Sequence, residues 1–397
     1  MERLHIAFFG PANSGKSTLV NALCGQEVSL VSPVPGTTTD PVRKTVELPG
    51  LGACVLIDTA GLDDASLLGP ERRRRTLSVL DETDIAVLVG WEEMADQVGH
   101  DDTVIPDSLS VIPDSLSVIP DLIGDLPVVT YKRGESIESL LERLRAVAPK
   151  QEERFLTGNL VKAGDCVLLV MPQDSEAPKG RLILPQVQVL RELLDRGCNA
   201  LCCTPESLAS ALKRVTPDLV ITDSQVFGLV NRALPSSIPL TSFSVLLAGA
   251  KGDLRTFVEG ASAIDRLQPG DRVLIAEACT HVPDTEDIGR VKIPALLRKK
   301  MADQVGHDET VTPGLIGSLS IDIAAGNDFP EDLTPYQLII HCGGCVATRT
   351  LVQSRIKKAL RAGVPITNYG IAIAKLQGIL DRIEIPDQVG NDGFGRE

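Results

Sequence analysis

"LHIAFFGPANSGKST", residues 4–18, decides the fold of the N-terminal region. Its first six residues predict a buried strand, and "GPANSGKS" from Gly10 to Ser17 fits the pattern G-x-x-x-x-G-K-S in front of a helix. The glycines let backbone N–H groups wrap around phosphate oxygens, and the helix N-terminus adds a favourable partial charge. The sequence therefore predicts a phosphate-binding loop (P-loop) at the edge of an α/β sheet.

Two further stretches complete the predicted nucleotide site. "CVLIDTAG" ends with Asp58 and Gly61 after a buried strand, and "PGTTTDP" contains Thr38. We expect Lys16 to reach the β- and γ-phosphates, while Ser17 and Thr38 bind Mg²⁺. Asp58 would contact the Mg²⁺ shell and the Gly61 amide would sense the γ-phosphate. The predicted nucleotide-binding residues are Gly10, Asn13, Ser14, Gly15, Lys16, Ser17, Thr18, Thr38, Asp58 and Gly61, and those expected to act in hydrolysis are Lys16, Thr38, Asp58 and Gly61.

These three motifs together resemble the translation-factor-like GTPases. The resemblance implies that GTP and GDP are bound with Mg²⁺. Asn13 matches the asparagine of the potassium-activated members, and Leu62 stands where other members carry a water-positioning glutamine. K⁺ is therefore the expected activating ion, in place of an arginine.

One departure from the GTPase pattern concerns the guanine base. No Asn-Lys-x-Asp tetrad occurs in the 397 residues, and the nearest stretch is "VVTYKRGES", residues 128–136. A low-complexity segment, residues 94–125, occupies the region where the tetrad would be expected, and it repeats "VIPDSLS" with a period of seven. Proline in each repeat excludes a continuous helix there. We expect weakened selection of guanine and exposed, mobile insertions.

Strand and helix patterns alternate along the whole chain, which indicates α/β architecture with parallel sheets. The predicted organisation is a P-loop GTPase domain (residues 1–150) followed by two further α/β domains with parallel sheets, at 151–264 and 265–397. A second insertion is expected near 301–317, where "MADQVGH" repeats the start of the first. Two histidines inside these insertions, His100 and His307, receive no role.

Composition narrows the class of partner and the compartment. The formal charge of −14 argues against nucleic acid or an anionic membrane as the main partner. No apolar run approaches the ~20 residues that span a bilayer, and the N-terminus shows no signal peptide, so a cytoplasmic location is expected. Nine cysteines in such a chain are unsuited to disulfide staples. Six of them are predicted to be small buried hydrophobes: Cys24, Cys54, Cys166, Cys198, Cys202 and Cys203.

The other three cysteines predict a metal site. "RVLIAEACTH" ends with Cys279 and His281, and "LIIHCGGC" carries His341, Cys342 and Cys345. Ligands of open α/β sheets gather outside the carboxyl ends of strands, where both stretches end. Spacing alone leaves three readings open, which are an iron–sulfur cluster, a structural zinc and packed cysteines. A four-iron cluster would need a fourth ligand, for which His281, His341, Glu277 and an exogenous group are candidates.

A GTPase head combined with "CTH" and "HCGGC" resembles the FeFe-hydrogenase maturation GTPases, the HydF family, over most of the chain. The blocks "APKGRLILPQV", "CTHVPDTEDIGRVKIP" and "GVPITNYG" carry the same resemblance. It implies a GTPase, a dimerisation and a cluster domain, with a 4Fe–4S cluster on Cys279, Cys342 and Cys345. His281 and His341 are then motif histidines and candidate ligands.

The resemblance also implies a function. The family is a scaffold and carrier that passes a diiron precursor, made by two radical maturation enzymes, to apo FeFe-hydrogenase. A homodimer is implied, and GTP hydrolysis would gate partner exchange. Two alternatives are an RNA- or ribosome-associated GTPase with structural zinc, against which the acidic charge counts, and a decayed copy whose guanine site was lost.

Overall fold

The computed structural model describes residues 3–25, 41–61, 75–90, 126–149, 155–173, 182–278, 287–305, 319–326 and 328–386. The insertion predicted at 94–125 and most of that near 301–317 lie outside these ranges, and so do Thr38, Cys279 and His281. The chain divides into two compact units, Met1–Glu152 and Glu153–Glu397. Domain boundaries near residues 150 and 264 stay predictions. No helix in the described ranges has the length and apolar character needed to cross a membrane.

The first unit is built on one five-stranded sheet with strand order β2-β3-β1-β4-β5. Its elements are β1 (Leu4–Phe9), α1 (Lys16–Cys24), β2 (Val42–Leu48), β3 (Gly52–Asp58), β4 (Ile85–Val89), β5 (Val128–Tyr131) and α2 (Ile137–Val147). β1, β3 and β4 are nearly continuous apolar runs because both faces of the sheet are covered. The expected α/β class is confirmed.

One strand of this sheet departs from the parallel pattern. β2 runs antiparallel to β3, while the β1–β3, β1–β4 and β4–β5 pairs are parallel. Only residues 49–51 separate β2 from β3, with Gly50 at φ 77°. A connection this short can join only antiparallel neighbours, since parallel ones require a crossover.

The second unit contains two four-stranded sheets, and every strand pair in them is parallel. The first has the order β7-β6-β8-β9 and the second β11-β10-β12-β13. The strands of the first are β6 (Cys166–Val170), β7 (Asn199–Cys203), β8 (Leu219–Thr222) and β9 (Leu240–Ser242), and those of the second are β10 (Arg272–Glu277), β11 (Ser320–Ala325), β12 (Leu338–His341) and β13 (Ile366–Asn368). The two sheets therefore share one topology.

Helices complete both sheets of the second unit. Those of the first are α3 (Leu184–Asp195), α4 (Leu208–Leu212), α5 (Phe227–Ala233), α6 (Phe243–Lys251) and α7 (Leu254–Ala261), and those of the second are α8 (Ile293–Val305), α9 (Arg349–Arg361) and α10 (Tyr369–Leu376). A single hydrophobic core cluster takes in buried residues of both sheets, from Leu168 to Ile383. The two sheets thus share one cluster, while a second cluster, which includes Val167 and Leu169, belongs to the first sheet alone.

The common topology has a counterpart in the sequence. "GDCVLLV" (164–170) matches "GDRVLIA" (270–276), and "IPLTSFSVLLA" (238–248) matches "VPITNYGIAIA" (364–374). The caps of α6 and α10 correspond as well, because Ser242 accepts from the Val245 N–H and Asn368 from the Ile371 N–H. We call these matching halves the first and second repeat.

Equivalent residues of the two repeats meet in the core. Ser244 and Gly370 hold the same position in α6 and α10, and a Cβ on Gly370 would lie 3.0 Å from the Ser244 Cβ. Asn368 also donates from Nδ2 to the Ser244 carbonyl oxygen, at 3.1 Å. The repeats are therefore joined along α6 and α10.

Replacing Gly260 with alanine is expected to destabilise the second unit by about 1–3 kcal/mol, the range for overpacked cores. A Cβ on this α7 residue would lie 2.0 Å from the Ile366 carbonyl oxygen, which belongs to β13 and cannot move aside as a side chain could. Thermal unfolding of the full chain measures the loss. Gly228→Ala in α5 is the matched control, since its nearest neighbour is the Gln377 side-chain oxygen at 3.2 Å. Equal stability of both variants would contradict the prediction.

Two sequence-based expectations are wrong in detail. Only Cys54 and Cys198 of the six structural cysteines are buried, and Cys202 is exposed because β7 is an edge strand. An exposed insertion was expected to begin at residue 301, but α8 continues to Val305 and Met301 is 2% exposed in the core. "KKMADQV" contains no proline or glycine, so nothing in it ends the helix.

Candidate functional site

The P-loop connects β1 to α1 with a strongly curved backbone. Gly10 has φ 155°, Asn13 has φ 61° and Gly15 has φ 98°. Asn13 is the sole non-glycine residue of the described ranges with positive φ. A Cβ on Gly10 would lie 2.3 Å from the Val89 carbonyl oxygen, so only glycine fits beside the end of β4. The structure thus supplies the tight, glycine-dependent loop that phosphate binding requires.

Polar side chains predicted to act on the nucleotide lie together at this loop. Lys16 is 6% exposed, and its Nζ donates to the carbonyl oxygens of Gly10 at 3.0 Å and Pro11 at 2.6 Å. The Ser17 hydroxyl donates to Asp58 Oδ2 at 2.6 Å, and Asp58 is fully buried at the end of β3. A hydroxyl beside a buried carboxylate is a donor set that suits Mg²⁺.

Gly61 and the remaining P-loop residues surround the same position. A Cβ on Gly61 would lie 2.7 Å from the Ala12 backbone nitrogen, so this glycine packs directly on the loop. Ser14 and Gly15 are half-buried, whereas Asn13 and Thr18 are exposed. Thr38 lies outside the described residues, so its role stays a prediction.

The stretch after β5 is the part of the described chain nearest in pattern to the missing guanine tetrad. β5 pairs directly with β4, and the next residues form a turn to α2 in which Arg143 pairs with Glu135 and donates to the Thr130 carbonyl oxygen. Lys132 and Arg133, which follow β5, are exposed. The sequence offers no asparagine–aspartate pair here for the guanine edge.

A second candidate site lies at the carboxyl ends of β10 and β12. The Cys342 N–H donates to the Ala276 carbonyl oxygen at 2.8 Å, which continues the strand pairing by one residue. Cys342 Sγ accepts from the N–H groups of Ala278 at 3.1 Å and Gly344 at 3.4 Å. N–H groups aimed at sulfur stabilise a thiolate, which is the form of cysteine that binds metals.

His341 occupies the core behind these cysteines and is 1% exposed. Its Nδ1 lies 2.8 Å from the Cys342 carbonyl oxygen and its Nε2 3.1 Å from Arg355 Nη1. Burial, reinforced by Arg355, lowers the pKa of His341 to about 3. With Nδ1–H donating and Nε2 accepting, both ring nitrogens of the neutral imidazole are engaged, so ligation would require breaking one of these contacts.

Arg355 of α9 joins the carboxyl ends of the strands of the second repeat. It is 2% exposed and donates to the carbonyl oxygens of Glu277 at 3.2 Å and Gly326 at 2.5 Å. Its guanidinium also lies 4.9 Å from the centre of the Phe329 ring. These contacts fix the strand ends from which the cysteine motifs leave.

Glu277 and Tyr369 place two buried oxygens near Cys342. Glu277 Oε2 pairs with Arg290 at 2.9 Å, whereas Glu277 Oε1 and Tyr369 Oη have no hydrogen-bond partner among the described residues. A Cβ on Gly289 would lie 2.0 Å from Tyr369 Oη and 2.9 Å from Glu277 Oε1. Burial, with the nearby Cys342 and Glu277, raises the pKa of Tyr369 well above its usual value.

A cleft opens beside Cys345. It has a volume of about 140 Å³ and is lined by residues of both repeats, including Asp223, Phe243, Cys345 and Tyr369. Phe243 and Tyr369 are equivalent residues of the two repeats. The cleft thus lies between the carboxyl ends of the two sheets, where ligands of such sheets bind.

The described residues include part of the predicted metal site and fit an iron–sulfur cluster. They contain no group of three or more histidine, cysteine, aspartate or glutamate side chains placed to hold a metal, and Cys279 and His281 lie beyond them. Cys342 receives two N–H bonds, one of them from Ala278, the chain neighbour of Cys279. Soft thiolates with N–H donors are the donor set of iron–sulfur centres.

Sequence reasoning missed Arg355 and Tyr369 as parts of this site, together with Lys251, which also contacts it. A lysine or arginine in an amphipathic helix gives no sign of burial, since its usual place is the solvated face. The one available signal was the repeat "PLTSF"/"PITNY", which places Tyr369 at a strand end.

Comparison with known families assigns the segments of the chain. Residues 5–109 match the 50S ribosome-binding GTPase family, residues 156–252 the hydrogen maturase F dimerization domain and residues 255–385 the hydrogen maturase F tetramerization domain. The two maturase matches together cover more than half of the chain. The N-terminal unit is thus a GTPase domain, and the predicted oligomerisation is supported in general form.

The curated relatives that the chain matches include two GTPases. The tRNA modification GTPase MnmE of Xylella fastidiosa is 45% identical over 87 residues, which is 22% of this chain and 19% of that protein. GTPase Der of the same species is 38% identical over 148 residues, 36% of this chain and 30% of that protein. The chain thus spans less than a third of the length of either relative.

Among solved structures, one match is Era from Aquifex aeolicus bound to GDP·AlF4⁻. It is 20% identical, with a TM-score of 0.27, and the match covers 51% of this chain and 93% of that one. The GTPase match at the N-terminus and the two maturase domains after it follow the order that the sequence motifs predict. The chain belongs to the hydrogen maturase F (HydF) family of hydrogenase maturation GTPases.

Proposed function

We propose that this protein is a GTP-hydrolysing scaffold and carrier that holds a 4Fe–4S cluster on Cys279, Cys342 and Cys345. It would deliver the diiron precursor of the hydrogenase active site to apo FeFe-hydrogenase. The observation that carries the proposal is the Cys342 thiol, which accepts N–H bonds from Ala278 at 3.1 Å and Gly344 at 3.4 Å. These contacts join the two cysteine stretches at one sheet edge.

The N-terminal unit would bind and hydrolyse GTP. Lys16 Nζ now rests on two loop carbonyl oxygens, so phosphate oxygens would replace these partners when the nucleotide binds. Ser17 would release Asp58 and bind Mg²⁺ together with Thr38, and the Gly61 amide, packed on Ala12, would contact the γ-phosphate. K⁺ beside Asn13 would supply the remaining positive charge.

The second unit would hold the cluster and the cargo. A 4Fe–4S cluster bound by three thiolates supplies an iron with an exchangeable fourth position, to which the diiron precursor can attach. Among the described residues, Cys345 faces the cleft between the two repeats, so this cleft offers room beside the cluster. His341, whose ring nitrogens are engaged, serves to hold the strand end, and His281 keeps its place as a candidate ligand.

A homodimer is the proposed working form. β7 is the outer strand of its sheet, with Leu201 37% exposed and Cys202 exposed. An uncovered edge strand with apolar side chains is suited to contact a second copy. The other proposed partners are apo-hydrogenase and the two radical maturation enzymes, and the proposed location is the cytoplasm.

Transfer of the diiron precursor tests the proposal as a whole. The chain is reconstituted anaerobically with iron and sulfide, loaded with the precursor and mixed with apo-hydrogenase. Hydrogen evolution that depends on loading supports the carrier function. A colourless protein with stoichiometric zinc and no iron uptake would contradict it and favour the ribosome-associated GTPase.

Guanine selection is expected to be weak. A site built to hydrogen-bond a group rejects an analogue that lacks it by about 10⁴-fold or more, and the tetrad that does so in GTPases is missing from the sequence. We expect the dissociation constants of GTP and ATP to agree within about tenfold, or about 1.4 kcal/mol. Calorimetric titration of both nucleotides with Mg²⁺ measures this. A preference for GTP above a hundredfold would show that other residues read the base.

A further inference from the structure

Lys251, the last residue of α6, contacts the turn that carries the two cysteines. This turn, residues 342–347, follows β12, and we call it the cysteine turn. Lys251 is 8% exposed, and its Nζ donates to the carbonyl oxygens of Gly344 at 2.9 Å, Cys345 at 3.1 Å and Ala347 at 2.7 Å. One ammonium group of the first repeat thus holds three backbone groups of the second.

The helix that carries this lysine is fixed at both ends. At the start of α6, Asn368 Nδ2 donates to the Ser244 carbonyl oxygen at 3.1 Å and to its hydroxyl at 3.2 Å. At the end, Gln353 Nε2 of α9 donates to the Lys251 carbonyl oxygen at 3.3 Å. The ammonium is therefore placed by a rigid element and needs little ordering to reach the turn.

In the second repeat, the position equivalent to Lys251 carries an uncharged residue. Gln377 corresponds to Lys251, and Gly228, the sixth residue after β8, corresponds to Ala347. The Gln377 Oε1 lies 3.2 Å from the Cβ position of Gly228 and, among the described residues, has no hydrogen-bond partner. A neutral amide therefore suffices for the architecture. Burying an ammonium costs far more than burying an amide, so the charge at the cysteine turn calls for a separate reason.

We infer that Lys251 is a positioning residue for the iron–sulfur site. It fixes the backbone of the cysteine turn at Gly344, Cys345 and Ala347, and it places a positive charge behind thiolates and a cluster that are negative. Charge-assisted hydrogen bonds are the stronger kind, and nearby charge sets the reduction potential of iron–sulfur centres. This inference rests on the proposed function, because it takes the cluster to be at the cysteine turn.

Lys251→Met in the full chain tests the inference in two states. In the metal-free protein, amide hydrogen exchange of residues 343–348 should become about tenfold faster, as expected for loss of a charge-assisted hydrogen bond. In the reconstituted protein, the cluster should be harder to reduce, with its potential shifted to more negative values. Gln377→Met, the same substitution at the equivalent position, should leave both quantities as in the unmodified chain.

The possible outcomes distinguish a failure of the inference about Lys251 from a failure of the proposed function. Unchanged exchange and unchanged potential in Lys251→Met would overturn the inference. An unmodified chain that takes up no iron would overturn the proposed function, while hydrogen exchange still decides whether the lysine holds the turn. Lys251→Gln, which carries the residue of the other repeat, is measured if Lys251→Met fails to fold. This variant should keep part of the protection from hydrogen exchange and still show the negative shift in the reduction potential of the cluster.

Discussion

The Cys342→Ala variant is expected to lose the iron–sulfur cluster of the reconstituted protein. Its thiol is one of three proposed ligands, and it is the acceptor for the Ala278 and Gly344 N–H groups at 3.1 Å and 3.4 Å. Removing even a hydrogen-bond partner of a ligand lowers metal affinity by about 10–100-fold, and removing the ligand itself costs more. The measurements are iron and sulfide per chain after anaerobic reconstitution, and the EPR spectrum after reduction.

Cys202→Ala provides the matched control for this experiment. The same substitution removes an exposed thiol on the edge strand β7 of the same unit, so iron content and spectrum should be unchanged. A four-iron signal that persists in Cys342→Ala would place the cluster elsewhere and refute the proposed site. Loss of signal in both variants would indicate damage to the fold, which circular dichroism of the apo-proteins detects.

Lys16→Ala is expected to slow GTP hydrolysis by at least about 100-fold, the effect of removing one donor aimed at transition-state charge. Lys16 is 6% exposed at the P-loop and contacts the Gly10 and Pro11 carbonyl oxygens. Alanine has no ammonium group that could move from these carbonyl oxygens to the phosphates of GTP. Phosphate release under single-turnover conditions at saturating GTP measures the rate without interference from product release.

A second lysine of the GTPase domain is the control for Lys16. Lys44 lies half-buried on β2, away from the P-loop in sequence, and Lys44→Ala should hydrolyse GTP at the normal rate. A Lys16→Ala protein that keeps full activity would show that the measured hydrolysis comes from another site or a contaminant. Iron uptake by Lys16→Ala should stay normal, since the proposed iron site lies in the other compact unit.

Local sequence patterns were sufficient for the elements that carry the sites. Buried parallel strands read as continuous apolar runs, so "LHIAFF" and "LIIH" could be recognised as β1 and β12. The P-loop was equally clear, because its glycines obey a backbone requirement that no other residue meets. Each of these features is encoded within a few neighbouring residues.

The contacts that organise the cysteine turn and the strand before it could not be predicted from such local patterns. Arg355 reaches His341 across 14 residues of sequence, and Lys251 reaches Gly344 across 93. Both are basic residues of helices, where a solvated position is the usual expectation. Arg355 is buried against the strand ends of its own repeat and Lys251 against the other repeat, and only the tertiary structure reveals either contact.

The hydrophobic cluster shared by the two sheets limits how this part of the protein can be divided. Buried residues from Leu168 to Ile383 form one cluster that takes in both repeats, and the first repeat also has a smaller cluster of its own that includes Val167, Leu169 and Val189. The segment from residue 155 to 386 should melt in one transition, and severing it between α7 and β10 would leave two fragments with apolar faces exposed. Recombination could therefore exchange the GTPase head as a cassette, whereas the two repeats that follow it would have to be inherited together.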